Sequence, residues 1–310
     1  MRINHRIALR GDSPFWKEIQ ALGLPYDPGR ITVLNITEDD AAWPEVERLL
    51  SLHGSPVHLI NNLFTRKEIE GAEWLEARAQ GHHGYPQPED NFGYIQQTYD
   101  TTGYCPRCGI GGVQKAPFRL RAEPKVEHSH FLQLNWVFDE LFIRREVSAA
   151  LKESGITGLS FLPPILHERN RPSERIVQMK VDTVLPAGPD TSGLEPVTCI
   201  PDNEESHATA GTALDTRVGP YCHRTKHHRM KKGPFRFARD AFAGAPDVVK
   251  SREWFGSGAS AHRLIIVSRR FREIVSQLKW RGIAFEPIEL TDVPPPGHVK
   301  TDAIGAPLER

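Results

Sequence analysis

Four cysteines in a chain of 310 residues constrain this protein more than any periodicity does. Two of them stand in Tyr104-Cys105-Pro106-Arg107-Cys108-Gly109, a C-x-x-C followed by glycine. Thiolates three positions apart can reach one ion, and Gly109 and Gly111 let backbone amides turn in towards the sulfurs. Cys199 and Cys222 are the remaining pair, which makes four soft ligands, the number a closed tetrahedral site takes. The expectation is a zinc-knuckle staple, with one structural Zn2+ held by Cys105, Cys108, Cys199 and Cys222. His223, His227 and His228 follow Cys222, and any of these histidines is an alternative to Cys199. A thioredoxin-type redox pair belongs at a strand-to-helix junction with an apolar flank. The flanks here, Tyr99-Asp-Thr-Thr-Gly103 and Gly109-Ile-Gly-Gly-Val113, read as loop on both sides. A closed site holds structure together and leaves no coordination position for a substrate, so the expectation is a scaffold rather than a catalyst.

Composition narrows the class. The 25 prolines and 25 glycines point to a loop-rich globular protein, long enough for one large domain or two modest ones. Lys and Arg number 39, as do Asp and Glu, so the formal net charge is zero. That balance argues against a dedicated nucleic-acid or membrane binder unless the charges are segregated. The amino terminus is basic but lacks an apolar signal region, and no apolar run approaches the length of a membrane span. With few cysteines, two of them at metal-ligand spacing, the expected location is a reducing cytoplasm.

Local patterns place several elements. Ile31–Ile36 reads as a buried strand, Asp39-Asp40 as the N-cap of a helix through about Leu52, and Val57–Ile60 as a second strand, a β-α-β pattern. Thr65-Arg-Lys-Glu68 is a capping box, opening a helix that carries Ile69, Trp74 and Leu75 and ends near Gly81. Pro117–Arg121, Phe131–Trp136 and Pro196–Ile200 read as strands, the last within a long loop over 187–220. Residues 143–163 and 268–287 echo each other. Both have a basic start, an amphipathic helix ending Leu-Lys, a Gly at the C-cap, and a strand ending Phe-x-Pro. Ser268 caps the second helix after the strand Leu264–Val267, and each helix is expected to pack on the strand that follows it. Two copies are too few for a solenoid, which leaves duplicated α/β units within one fold.

Three stretches resemble a bacterial family, the double-CxxCG-motif immunity proteins of polymorphic-toxin systems. Cys105-Pro-Arg-Cys108-Gly109 matches the first motif, Cys222-His-Arg-Thr225 stands where the second is expected, and Val267 through Pro287 matches the closing helix-Gly-strand. The chain departs from the pattern at Thr225, which occupies the place of a cysteine, and in lacking the glycine after it. The resemblance implies a non-catalytic protein that binds and neutralises a cognate toxin in the producing cell.

A nucleic-acid-binding zinc ribbon is the competing expectation. Between His223 and Arg239 lie Arg224, Lys226, Arg229, Lys231, Lys232, Arg236 and Arg239, with Phe235 and Phe237 interleaved and no acidic residue before Arg239. Such a segment suits phosphates and base stacking, or an acidic protein partner. Its bland counterpart is a solvated basic loop balanced by Asp190, Glu195, Asp202, Glu204 and Glu205. His82-His83, near Glu89-Asp90, are exposed-loop histidines without a carboxylate at helical spacing. No nucleophile elbow, H-E-x-x-H or phosphate-binding loop is present. Together these readings predict an α+β fold of mixed sheets and short packed helices. They divide it into an N-terminal α/β segment over 1–100, a zinc-stapled domain over 101–290, and a disordered or surface-draped tail over 291–310.

Overall fold

In the computed structural model, residues 1–27, 29–53, 57–126, 128–186, 188–201, 219–229 and 232–292 are described. The tail beyond Asp292, Lys231, and Asp202, Glu204 and Glu205 of the long loop lie outside them. The chain divides into one unit of Met1–Gly71 with Met230–Pro234, and a second of Ala72–Arg229 with Phe235 onwards. The boundary therefore falls at residues 71/72 rather than near 100. Residues 72–79 supply the middle strand of the second unit's largest sheet and cannot be parted from it.

The first unit runs β1 (Arg2–Arg10), α1 (Phe15–Ala21), β2 (Ile31–Thr37), α2 (Trp43–His53), β3 (Val57–Leu63) and α3 (Arg66–Gly71). β2 and β3 flank β1, each antiparallel to it, so the expected β-α-β is split by an inserted strand. Ile7, Leu34 and Ile36 on one sheet face bury against Phe15 and Ile19 of α1 and Val46 and Leu49 of α2. The same face carries buried His5, stacked on Trp43 at 3.7 Å, with Nδ1 2.7 Å from His58 and Nε2 2.9 Å from Glu38. The capping box forms: Glu68 N–H donates to Thr65 Oγ1 at 3.2 Å, and Thr65 N–H donates to Glu68 Oε2 at 2.7 Å.

The second unit begins with β4 (Trp74–Ala79), α4 (Tyr94–Thr98), β5 (Tyr99–Asp100), β6 (Val113–Gln114), β7 (Arg119–Leu120), β8 (Phe131–Leu134) and β9 (Val137–Arg144). It continues with α5 (Arg145–Glu153), β10 (Leu159–Leu162), β11 (Ile165–Leu166), β12 (Arg171–Pro172), β13 (Ile176–Val181), β14 (Pro196–Thr198) and β15 (Thr225–His227). It closes with β16 (Phe235–Ala238), β17 (Val248–Lys250), β18 (Ile265–Ser268), α6 (Arg269–Gln277) and β19 (Ile283–Thr291). Trp74 and Leu75 thus lie in a strand, where the capping box had suggested one continuous helix. The helix ends at Gly71, and β4 pairs antiparallel with both β18 and β19.

The echo at 143–163 and 268–287 becomes two split β-α-β units. β9, α5 and β10 surround β13 in a sheet ordered β10-β13-β9-β8, and β18, α6 and β19 surround β4 in the order β16-β19-β4-β18-β17. α5 ends on the left-handed Gly155 at φ 65°, as expected, but α6 ends earlier than its glycine: Leu278 is the C-cap, Lys279 takes the left-handed conformation at φ 53°, and Gly282 lies in the turn into β19. Ser268 Oγ accepts from Phe271 N–H at 3.3 Å, as an N-cap should. The packing differs from expectation: α6 lies against β18 before it, and α5 against β9 and β13. The inserted antiparallel strand takes up the space a directly following strand would have filled. A buried ion pair ties the two sheets. Lys250 of β17 meets Glu140 of β9 at 2.5 Å, and Gln178 of β13 donates to the same carboxylate at 2.8 Å.

Candidate metal centre

The knuckle sits on the turn between β5 and β6, which pair through Tyr99 with Gln114 and Asp100 with Val113. Within it, Gly109 N–H donates to Cys105 C=O at 2.8 Å and Cys105 N–H to Ile110 C=O at 2.9 Å. Gly109 is at φ 79°, and a Cβ there would meet Ala259 C=O at 2.5 Å and Ala261 N at 2.7 Å, so only glycine fits. Cys199 directly follows β14 and Cys222 precedes β15. The hairpin brings them together through Cys199 N–H on Arg224 C=O at 3.0 Å.

These two hairpins place all four sulfurs within 4.8 Å of one another. Cys105 and Cys199 are 3.8 Å apart and Cys108 and Cys222 3.6 Å. A tetrahedral Zn–thiolate site with bonds of about 2.3 Å has S···S edges of roughly 3.8 Å. The separations suit a shared ion and are far longer than a disulfide bond of about 2.05 Å. Among the described residues the cluster contains neither His223 nor His227, so Cys199 is the fourth member. Thr225, in the place of the missing cysteine, instead shares a hydroxyl hydrogen bond of 2.9 Å with Thr198.

Burial opposes free thiolates at Cys108 and Cys199, while local donors favour one at Cys222. Burial pushes the Cys108 thiol well up, and burial likewise raises Cys199. Burial acts the same way on Cys222, but the backbone and side-chain donors of Arg224 and the neighbouring thiols outweigh it and bring that thiol down to about 7. Ile110 N–H serves Cys108, and Cys222 N–H serves Cys199. A divalent cation held by the four sulfurs would supply positive charge there and release the protons.

Lys226 completes the centre. It is fully buried, and its ammonium donates to the carbonyls of Cys108 at 2.8 Å, Gly258 at 2.6 Å and Ser260 at 2.8 Å. Burial lowers its pKa to about 8, while the four sulfurs act in the opposite direction. Arg224 bridges the same turn, its Nη2 donating to Gly103 C=O at 2.8 Å and Ile110 C=O at 3.1 Å.

Of the rest of the basic segment, the described residues Arg229, Lys232, Arg236 and Arg239 are also engaged within the fold. Arg229 pairs with Glu76 at 2.6 Å, Lys232 with Glu38 at 2.5 Å, and Arg236 with Glu289 at 3.1 Å. Arg239 reaches Glu73 and Asp292, each at 3.1 Å. Phe235 and Phe237 point into the core rather than outward as stacking platforms. His82 lies edge-on to Phe138, and neither it nor His83 joins a metal-ligand cluster among the described residues.

No protein-family model matches the chain, and a search of curated proteins found no match. No helix among the described residues is long and apolar enough to cross a membrane.

Proposed function

We propose that this chain is a non-catalytic binding protein of the bacterial cytoplasm, stapled by one structural zinc, whose partner is a cognate toxin that it neutralises by direct contact. The closed four-sulfur cluster is the observation that carries this reading. All four donor positions come from the protein, which leaves a metal nothing to offer a substrate and suits a load of folding energy. The thiolate set, with no carboxylate or imidazole among its members, favours zinc over the harder cations. The toxin-binding part rests on the resemblance at Cys105–Gly109 and at Val267–Pro287, the second of which forms the closing split β-α-β unit.

The nucleic-acid reading draws less support. Lys226 is buried, and Arg224, Arg229, Lys232, Arg236 and Arg239 already have partners within the fold.

The test is metal content joined to capture. Purified protein should carry about one zinc per chain, and as bait in its native host it should retain one toxin whose activity it suppresses. Cys105→Ser should lower stability and zinc together. A metal-free wild-type chain of full stability would sink the zinc reading. Failure to suppress any toxin encoded beside it would sink the partner reading.

A further inference from the structure

The three-stranded sheet of the first unit has a second face, opposite the one that packs on α1 and α2. His5 and Ile7 of β1 are buried on the helix side. The alternation of a strand turns Arg2, Arg6 and Arg10 the other way, and all three are exposed. Four residues apart, they form a column of guanidiniums at intervals of about 13 Å along the central strand. Direct pairing sets an apolar side chain beside each: Leu63 opposite Arg2, Leu59 opposite Arg6 and Ile31 opposite Arg10. These side chains are not tucked away, for Leu63 and Leu59 are each 43% exposed and Ile31 is 64% exposed.

The face carries charge of one sign. β1, β2 and β3 contain no Asp, Glu or Lys, so it is basic through arginine alone. Arg6, at its centre, makes no ion pair among the described residues. Arg10 meets Asp12 at 3.0 Å in a largely exposed pair, and Arg2 acts on Asp39 in the turn after β2, both through screening water. A solvated sheet face ordinarily mixes both signs among polar side chains. Arginine beside exposed leucine and isoleucine, with lysine and the acids missing, is instead the make-up of a protein interface.

Charge and residue type select the occupant. Bases of a single strand stack on aromatic rings, and these three strands carry no Phe, Tyr or Trp. A second copy meeting the face about a two-fold axis would set arginines against arginines. A carboxylate, by contrast, answers a guanidinium with a two-bond fork, and apolar side chains beside it answer Leu59, Leu63 and Ile31. We propose that the Arg2-Arg6-Arg10 face is the docking surface for an acidic protein partner, whose carboxylates seat on the arginine column and whose apolar side chains seat on the flanking strands. The proposal rests on the reading of the chain as a binding protein and gives that reading its surface. It does not depend on the zinc.

The test uses the full chain and the fluorescence anisotropy of three labelled probes: an acidic dodecapeptide alternating Glu and Leu, its Lys-Leu counterpart, and a thymidine dodecamer. Co-sedimentation with phosphatidylserine vesicles is run beside it. The acidic peptide should bind saturably, and more weakly as sodium chloride rises from about 50 to about 300 mM. Arg6→Glu should weaken it by roughly tenfold or more, and Leu59→Ser should weaken it too. Lys17→Glu makes the same change of charge on α1, at the helix side of the sheet, and should leave binding within about twofold. Circular dichroism reports whether each variant is folded. No binding of the acidic peptide, equal binding of the Lys-Leu peptide, or undiminished binding by folded Arg6→Glu would overturn the proposal. So would equal weakening by Lys17→Glu, tighter binding of the thymidine dodecamer or the vesicles, or a dimer of the chain that Arg6→Glu abolishes. The toxin reading fails separately. A toxin held equally by wild-type chain and Arg6→Glu removes this face alone, whereas no toxin held, with the acidic peptide bound as described, removes the toxin alone.

Discussion

Replacing Lys226 by methionine removes a buried charge that ties the knuckle to the loop before β18. The ammonium makes three bonds of 2.6–2.8 Å to carbonyls of Cys108, Gly258 and Ser260, in a fully buried position. Bonds to a charged donor are worth about 1.5–3 kcal/mol each, so the gross loss is on the order of 5–9 kcal/mol. Against this stands the cost of burying an ammonium, several kcal/mol, which methionine does not bear. Methionine also leaves three carbonyls without a donor, and breaking such a buried set nets a destabilisation of about 3–5 kcal/mol. With a urea dependence of about 3 kcal/mol per molar, the unfolding midpoint should fall by roughly 1–2 M. The assay is urea unfolding of metal-loaded protein followed by circular dichroism, with zinc release read in parallel by a colorimetric chelator. The variant should also release zinc at lower urea than the parent. A midpoint within about 0.3 M of the parent, with zinc retained equally, would refute the argument that the ammonium holds the centre together.

Two further outcomes are expected. Cys199→Ser should bind zinc far more weakly in a chelator competition, whereas His223→Ala and His227→Ala should keep parental affinity, since neither imidazole is in the four-sulfur cluster; the reverse order would exclude Cys199 as the fourth ligand. Burial lowers His262 from 6.5 to about 4, so the unfolded chain takes up this proton first as pH falls. The stabilisation is complete above pH 6.5 and declines towards pH 4, by about 3 kcal/mol in all. His262→Gln should flatten that part of the pH dependence of the urea midpoint, and an unchanged slope would mean that His262 does not drive it.

The parts legible in the sequence were those in which a few neighbouring residues settle the backbone. The capping box at Thr65–Glu68, the glycine end of α5 and the Ser268 cap of α6 formed as read, because their hydrogen bonds close within four or five residues. The knuckle was equally local, since Gly109 must take a positive φ wherever the rest of the chain goes. Trp74-Leu75 misled for the opposite reason: nothing within the segment says that β18 and β19, about two hundred residues later, will flank it. The ion pair of Glu76 and Arg229 left no signal at all, because residues 153 positions apart meet only across the finished sheet.

Sequence alone therefore determined the cysteines at metal-ligand spacing, the starts of α3 and α6 and the α+β class, each of which follows from residue type and short spacing. Tertiary structure decided the rest. It inserted β1, β13 and β4 into three β-α-β units, chose Cys199 over the histidines, and turned a basic segment into a set of internal pairs. The physical reason is the same in each case. Strand insertion and charge pairing are won by whichever distant segment relieves the most unpaired backbone and buried charge, and that competition is settled only when the sheets close.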